Sequence, residues 1–366
     1  MIFAEDKFFR SIAEGLFVRR DAESTLDAVD CILLDVDGVL VDVRGSFRHA
    51  ICDTVQFFFT KILGVNGTRR LVHPEDTDGF KMAGGFNSDW DLTEAAVLFL
   101  VWKLHAHGLR GLDELAQSEP SLQGFAEELG SQGGGLHKAY EWVAARLKQE
   151  AKSGLEERLR QQVDGPLIRR IFQEHYAGHR YCRRLYGFDP ECYRGPGSIR
   201  KEKTILDKHL WPPKGLSCGI FSGRTPEEIE LALELMGIYV EPRLIVGDDG
   251  SHPTKPDPWG LIQLGKQLNW QAGIYVGDTW DDLRTVLCYR GSSGSKPLLF
   301  CYCSTGNGNE SALTVFRREG ADMIARDVNA LLMHFASLPS RRGWASSKVH
   351  GRSRASAAGQ LTLDAK

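Results

Sequence analysis

Apolar runs that end abruptly at polar residues recur along this chain. Residues 31–34 are uninterruptedly apolar and stop at Asp35-Val36-Asp37-Gly38, which is typical of a buried parallel strand that presents carboxylates at its C-terminal end. Four later runs are also predicted to be strands: 216–221, 243–246, 273–276 and 297–302. Helical patterns lie between them. This alternation predicts an α/β fold with a doubly wound, parallel sheet.

The sequence predicts that a helix begins directly after the second predicted strand. Thr225 offers a hydroxyl at the N-cap, Pro226 suits the first helical position, and Glu228 occupies N3, the pattern of a capping box. The helix is predicted to continue to residue 236 and to stop at Gly237. Its first backbone N–H groups would point toward the sheet edge where Asp35 lies.

Strand patterns vanish between residues 41 and 211. Helical periodicity replaces them at 90–105, 138–160 and 166–184. We interpret residues 44–212 as an inserted helical domain, with a flexible connection at 130–135 and a return to the sheet at the prolines near residue 212. The predicted divisions are an N-terminal extension at 1–26, a catalytic core at 27–43 and 213–336, the insertion at 44–212, and a basic disordered tail at 337–366.

Composition narrows the possible partners. The chain has 366 residues, is 42% hydrophobic and carries a net charge of −3. This overall charge provides no electrostatic attraction to nucleic acid or to an acidic membrane surface. Small-molecule substrates are therefore the default expectation. Apart from the pair Cys301 and Cys303, the eight cysteines lie far apart along the chain. No window has the apolar length of a membrane span or the composition of a secretion signal. We therefore expect a cytoplasmic protein, while the oligomeric state stays open.

Four segments at predicted strand ends carry the chemistry. They are 35–39 (Asp-Val-Asp-Gly-Val), 222–224 (Ser-Gly-Arg), 255–258 (Lys-Pro-Asp-Pro) and 277–282 (Gly-Asp-Thr-Trp-Asp-Asp). Together and in this order they resemble the four motifs of the haloacid dehalogenase superfamily. The resemblance covers the predicted core and implies a Rossmann-like sheet with a helical cap inserted after the first motif, as in a phosphoglycolate-phosphatase-like branch.

The acidic residues fit phosphoryl transfer assisted by a metal ion. A phosphate monoester dianion repels a carboxylate, so an attacking Asp35 needs a cation that neutralises both groups. Asp35 and Asp278 offer hard anionic oxygens, which suit Mg²⁺. The resemblance implies that the main-chain carbonyl of Asp37 completes the metal site, and Asp282 is expected to orient metal-bound water.

The remaining motif residues receive roles from the same resemblance. Asp37 would protonate the leaving oxygen and then activate the water that hydrolyses the aspartyl phosphate; superfamily members that cleave carbon–halogen bonds lack an Asp there. Ser222 and Gly223, with Arg224 following them, are expected to bind the phosphoryl group. Lys255 is expected to neutralise the charge that builds during transfer.

The segment 81–91 of the insertion looks like a substrate loop. Its two glycines permit close backbone approach, and Asn87, Asp89 and Trp90 offer polar and stacking contacts. An equally favoured interpretation is a helix N-cap around Ser88 or Asp89.

The sequence thus predicts a Mg²⁺-dependent phosphatase that hydrolyses a small phosphate monoester through an aspartyl-phosphate intermediate, so the expected partner is a small phosphorylated metabolite. Two alternatives stay open. A sugar phosphomutase of the same fold would use the same nucleophile but return the phosphoryl group to another hydroxyl. An inactive binding protein is suggested by the enlarged insertion and the basic tail, although keeping four charged motif residues would bring it no benefit.

Overall fold

One eight-stranded sheet forms the centre of the protein, whose structure, a computed structural model, describes residues 7–86, 88–150, 154–305 and 310–339. The strands lie in the order β1-β2-β10-β9-β8-β3-β6-β7. Their bounds are β1 Phe9–Ala13, β2 Leu16–Arg19, β3 Val29–Leu34, β6 Ser217–Phe221, β7 Ile245–Val246, β8 Ala272–Gly277, β9 Leu298–Cys303 and β10 Met323–Ala325. The predicted α/β class is confirmed.

The order of the strands creates a switch point beside β3. From β3 the chain proceeds to β6 and β7 on one side, and then to β8, β9 and β10 on the other. All of these strands pair in parallel, whereas β2 pairs antiparallel with β10 and with β1. Crevices at the carboxyl ends of strands beside such a switch point are the usual ligand sites of doubly wound sheets. Here the two strands at that point are β3 and β8.

Both faces of the sheet are covered, which explains why β3 is apolar without alternation. Ile32 and Leu34 pack into one apolar layer, while Cys31 and Leu33 pack into the layer on the opposite face. The helices that supply these layers are α1 Glu23–Leu26, α10 Pro226–Met236, α11 Trp259–Leu268, α12 Trp280–Gly291, α13 Glu310–Glu319 and α14 Val328–Ser337.

The strand prediction from sequence was incomplete at three places. β1 and β2 lie within the segment that we interpreted as an N-terminal extension, and β10 had no predicted counterpart. Residues 242–244 form a 3₁₀ turn, so the strand predicted at 243–246 is only the two-residue β7. Strands as short as these carry too little periodicity to be recognised alone.

A helical insertion leaves the sheet region after β4 (Val41–Asp42) and returns through β5 (Lys203–Thr204), and these two short strands pair with each other. It has an apolar core of its own, centred on α4 and α9. Its helices are α2 Phe47–Phe57, α3 Asp76–Ala83, α4 Asp89–Ala106, α5 Leu112–Gln117, α6 Leu122–Ser131, α7 Leu136–Glu150, α8 Leu155–Gln162 and α9 Gly165–Tyr186. A π-helical turn at Phe58–Ile62 extends α2.

Two helices predicted as regular are interrupted. The pattern at 138–160 is divided between α7 and α8, and α8 begins after Gly154, whose φ of 81° lies in the left-handed region. α9 is bent at Gly178, where φ is 62° and ψ is −175°. Glycine tolerates both conformations because it has no Cβ.

The bend in α9 lets the returning chain cross it at very short range. The backbone of Gly178 bridges to Pro196, and the N–H of His179 donates to Gly195 O at 3.1 Å. A Cβ on Gly178 would fall on the backbone nitrogen of Gly197. This crossing brings the segment that precedes β5 against α9.

No helix within the described residues is long and apolar enough to cross a bilayer. The tail predicted to be disordered falls, from residue 340 onward, outside the described residues.

Candidate active site

The carboxyl ends of the central strands bring the four sequence motifs together. Asp35 follows β3, Ser222 follows β6 and Asp278 follows β8. Ladder hydrogen bonds fix the backbone at two of these ends, because Asp35 N donates to Val276 O at 3.0 Å and Ser222 N donates to Val246 O at 3.0 Å. The side chains that leave these positions therefore have defined starting points.

Three buried carboxylates form a cluster at this edge. Oxygen atoms of Asp35, Asp278 and Asp282 lie within 4.8 Å of one another. Gly38, with a φ of 69°, passes directly over them, and a Cβ there would fall on the carboxylate of Asp278. A donor set made of hard oxygens beside a closely approaching main chain fits Mg²⁺.

The electrostatics of the cluster also favour a cation. Burial, together with repulsion from Asp282 and Asp35, raises the pKa of Asp278 well above its usual value. Burial raises the pKa of Asp35 to about 7, even though Lys255 opposes this shift. Both carboxylates would be ionised more readily beside a divalent cation.

Lys255 links the nucleophile candidate to Asp282. Its Nζ lies 3.1 Å from Asp35 and 2.7 Å from Asp282. Burial disfavours the charged amine, yet the two carboxylates outweigh it and hold the pKa of Lys255 above its usual value. The lysine therefore stays cationic next to Asp35.

Asp282 is occupied by hydrogen bonds from the protein itself. Its carboxylate accepts five hydrogen bonds of 2.6–3.2 Å. The donors are Lys255 Nζ, Tyr275 OH, the backbone N–H and the hydroxyl of Thr279, and the backbone N–H of Asp278. Although burial opposes ionisation, the charge and hydrogen bond of Lys255 lower the pKa of Asp282. Its geometry suits the positioning of Lys255 and of the start of α12 better than direct metal ligation.

The residues predicted to bind phosphate behave differently from one another. Ser222 is buried and forms a hydrogen bond to the Asp35 carboxylate. Gly223 lines the space in front of Asp35. Arg224 has a side chain only 1% exposed and pairs with Asp37 at 2.7 Å and Glu202 at 3.0 Å. Its guanidinium is thus committed to protein carboxylates.

A cavity of about 660 Å³ lies between this edge and the helical insertion, with Asp35, Asp37 and Lys255 in its lining. A second cavity of about 580 Å³ adjoins the first and shares Ser88, Trp90, Gly223 and Lys255 with it. Aromatic side chains form much of the remaining wall of the larger cavity: Phe47, Phe86, Trp90, Phe172, Trp280 and Phe316.

Both interpretations of segment 81–91 fit the structure. Ser88 caps α4 by accepting a hydrogen bond from Asp91 N, and Asp89 opens that helix. Asp89 also pairs with Lys81 at 2.7 Å, and both residues line the larger cavity together with Trp90. Asn87 lies outside the described residues.

Sequence reasoning missed two residues of the site. Glu202 and Tyr176 belong to the helical insertion, and both reach the guanidinium of Arg224. Neither residue belongs to a recognisable motif. Their approach depends on the bend in α9 and on the β4–β5 pair, which no local pattern reveals.

Comparison with known proteins agrees with this architecture. Phosphatase Tt82 from Thermococcus thioreducens is 28% identical to this chain, with a TM-score of 0.53 over 84% of this chain and 99% of that protein. The chain has the fold of haloacid dehalogenase-like hydrolases. The superfamily resemblance inferred from the four motifs is therefore confirmed.

Two further comparisons concern the haloacid dehalogenase-like fold and a short stretch of sequence. A structural-genomics target has a TM-score of 0.53 at 18% identity, covering 84% of this chain and 100% of that one, which shows the fold alone. An imidazoleglycerol-phosphate dehydratase of Phytophthora nicotianae is 39% identical over 95 residues, which are 26% of this chain and 16% of that protein. No family model matches the chain.

Proposed function

We propose that this haloacid dehalogenase-like chain is a Mg²⁺-dependent phosphatase that hydrolyses a small phosphate monoester through an aspartyl-phosphate intermediate. The observation that carries the proposal is the position of Asp35. Its carboxylate lies at a strand end, 3.1 Å from a buried lysine, within an oxygen-rich cluster that faces a cavity of about 660 Å³. The similarity to a phosphatase at 28% identity supports the same class of reaction.

The carboxylate of Asp35 attacks phosphorus, and the bond to the leaving oxygen breaks as the new O–P bond forms. Asp35, Asp278 and the main-chain carbonyl of Asp37 would hold Mg²⁺, which supplies neutralisation of the phosphoryl and carboxylate charges. Lys255, 3.1 Å from Asp35, contributes a second positive charge. Ser222 orients the nucleophile through its hydroxyl, and the backbone at Gly223 lies open to the phosphoryl oxygens.

Asp37 serves both half-reactions in this proposal. It lines the cavity and its side chain is 31% exposed, so it can reach substrate atoms that Asp35 cannot. It gives its proton to the leaving oxygen and then takes a proton from the water that attacks the aspartyl phosphate.

The helical insertion acts as a cap over this site. The Lys81–Asp89 pair, Trp90 and the aromatic wall face the same cavity as Asp35, so they would contact the part of the substrate beyond the phosphoryl group. Enclosure of the substrate excludes water and strengthens the contacts with charged groups. A ring-bearing alcohol is the expected leaving group, because aromatic walls favour apolar and stacking contacts.

The test is phosphate release from a substrate panel with Mg²⁺. The panel contains sugar phosphates, phosphoglycolate, nucleotides and imidazole-bearing phosphates, the last because of the dehydratase match. Phosphate release that stops with EDTA and with Asp35→Asn supports the proposal. A folded wild type that releases phosphate from no member, or an Asp35→Asn variant that stays active, contradicts it.

Product analysis on the same panel separates the phosphomutase alternative. A mutase converts one sugar phosphate isomer into another without net release of phosphate. If isomers form faster than phosphate is released, the protein is a phosphomutase rather than a phosphatase. Asp35 would remain the nucleophile in that case.

A further inference from the structure

Arg224 occupies an unusual place for a residue of a phosphate-binding motif. All three of its side-chain nitrogens donate to protein groups: Nε to Asp37 at 2.7 Å, Nη1 to Tyr176 OH at 3.3 Å and Nη2 to Glu202 at 3.0 Å. The side chain is 1% exposed. A guanidinium with each nitrogen engaged in this way is fixed in position and cannot turn toward a bound phosphate.

The partners of Arg224 come from two separate parts of the chain. Asp37 follows β3 of the sheet, whereas Tyr176 belongs to α9 and Glu202 directly precedes β5. Tyr176 also donates to Glu202 at 2.9 Å, so the two partners from the insertion hold each other. The face of the arginine is covered by the ring of Phe47, 5.1 Å away, which stacks in turn on Tyr176 at 4.3 Å.

We propose that Arg224 is a positioning residue for the acid–base group Asp37, and that Glu202 and Tyr176 of the helical insertion set the position of Arg224. The proposal rests on the proposed function, since it concerns how Asp37 meets the leaving oxygen. The cap then does more than select substrate, because the proton-transfer geometry depends on two of its side chains. The cap and the acid–base group are thereby joined into one site through a buried cation.

The leaving group gives a readout that a general loss of structure would not produce. When the P–O bond of an alkyl phosphate breaks, the electron pair stays on an alkoxide oxygen that needs the proton of Asp37. The 4-nitrophenolate ion leaves as a stable anion and needs no proton. Misplacement of Asp37 should therefore slow phosphorylation by alkyl phosphates selectively.

The experiment measures first-turnover leaving-group release by rapid quench, with 4-nitrophenyl phosphate and with an alkyl phosphate that the wild type accepts. For Glu202→Gln and Arg224→Lys, we expect a loss of roughly 100-fold on the alkyl phosphate and less than about threefold on 4-nitrophenyl phosphate. Tyr176→Phe should show the same selectivity with a smaller loss. Thermal unfolding shows which variants fold. If Arg224→Lys does not fold, Tyr176→Phe and Glu202→Gln test the positioning role without it.

Arg184→Gln is the matched control. Arg184 joins α9 to α10 through Glu234 at 2.6 Å on the surface. It therefore also links the insertion to the sheet region, but without touching Asp37, and both rates should stay at the wild-type level. Equal losses on both substrates, or a rise in KM common to both, would overturn the positioning role in favour of structural support or phosphate binding. A wild type that forms no phosphoenzyme would instead overturn the proposed function itself, before any variant is compared.

Discussion

Lys255 carries a positive charge between two carboxylates that are themselves buried, with 6% of its side chain exposed. A buried ion pair contributes little net stability, but removing one partner leaves the other charge uncompensated. Here the loss of one lysine would leave both Asp35 and Asp282 without their nearest cation. Its effect should therefore reach stability as well as catalysis.

For Lys255→Met, we expect the free energy of unfolding in EDTA to fall by about 3–5 kcal/mol. The turnover number should fall by roughly 100- to 1000-fold, because the charge that stabilises phosphoryl transfer is gone. Urea unfolding and steady-state kinetics measure the two effects. Lys266→Met on the exposed side of α11 is the control, with a change below about 0.5 kcal/mol, and equal effects of the two substitutions would contradict the role of Lys255.

A substitution at Gly38 tests the metal site, because the backbone of Gly38 passes close to the Asp278 carboxylate. In Gly38→Ala, the added methyl group would fall on the Asp278 carboxylate, so Mg²⁺-dependent activity should be lost. Gly64→Ala is matched in conformation, with a φ of 66°, but has open space around the new Cβ. We expect the control to lose about 1–2 kcal/mol of stability from backbone strain while its activity is kept. Equal activities of the two variants would contradict the metal site.

At the scale of elements, the bend in α9 decides which side chains of the insertion reach the sheet edge. Gly178 and Gly197 lie where two backbones cross, and neither has room for a Cβ. The crossing holds the segment before β5 against α9, and Glu202 follows directly from that segment. The bend in α9 therefore helps to place Glu202 in the site.

Gly178→Ala should lower the free energy of unfolding by about 2–4 kcal/mol, since it combines left-handed strain with a backbone clash. Gly187→Ala, directly after the end of α9, is the control; its φ is 78°, and a Cβ there would meet no atom within 4 Å. We expect the control to lose only about 1–2 kcal/mol. Denaturant unfolding of both variants gives the comparison, and similar losses would show that the crossing carries no special constraint.

Local patterns were sufficient for the elements that carry their information in adjacent residues. The apolar run before Asp35 predicted β3, and the capping box predicted at Thr225 is confirmed by the hydrogen bonds at the start of α10. The contacts of Glu202 with Arg224 depend on a bent helix and on strand pairing with residues 41–42, so they could not be predicted. β1 and β2 were missed for a similar reason, because they join the sheet through β10, about 300 residues away along the chain.

At the scale of the whole molecule, the acidic edge links stability to pH and to metal. Burial raises the pKa of Asp35 from 3.8 to about 7, so the folded, metal-free protein retains a proton that the unfolded chain has lost. Such a group makes its full contribution to stability below the pKa that it has in the unfolded chain. This contribution disappears as the pH rises through the pKa that it has in the folded protein. Bound cations reverse the preference, because they favour the ionised carboxylate and bind only the folded site.

We therefore expect the ionisation of Asp35 to lower the stability of the metal-free protein between about pH 4 and pH 7, by at most about 4 kcal/mol for three pKa units. Mg²⁺ should reduce this loss, and Asp35→Asn should make it smaller, since the amide does not titrate while Asp278, whose pKa is also raised, still does. Urea unfolding at pH 5, 6 and 7, with EDTA or Mg²⁺, measures the differences. The same pH profile for wild type and Asp35→Asn in EDTA would contradict the assigned origin.

The most direct test of the account is the site of phosphorylation during turnover. Wild-type protein is mixed with 4-nitrophenyl phosphate and Mg²⁺, quenched in acid, digested and analysed by mass spectrometry. The account predicts one phosphoryl group on the peptide that contains Asp35, and none after Asp35→Asn or in EDTA. Phosphate release without a labelled Asp35, or a label on another residue, would contradict it.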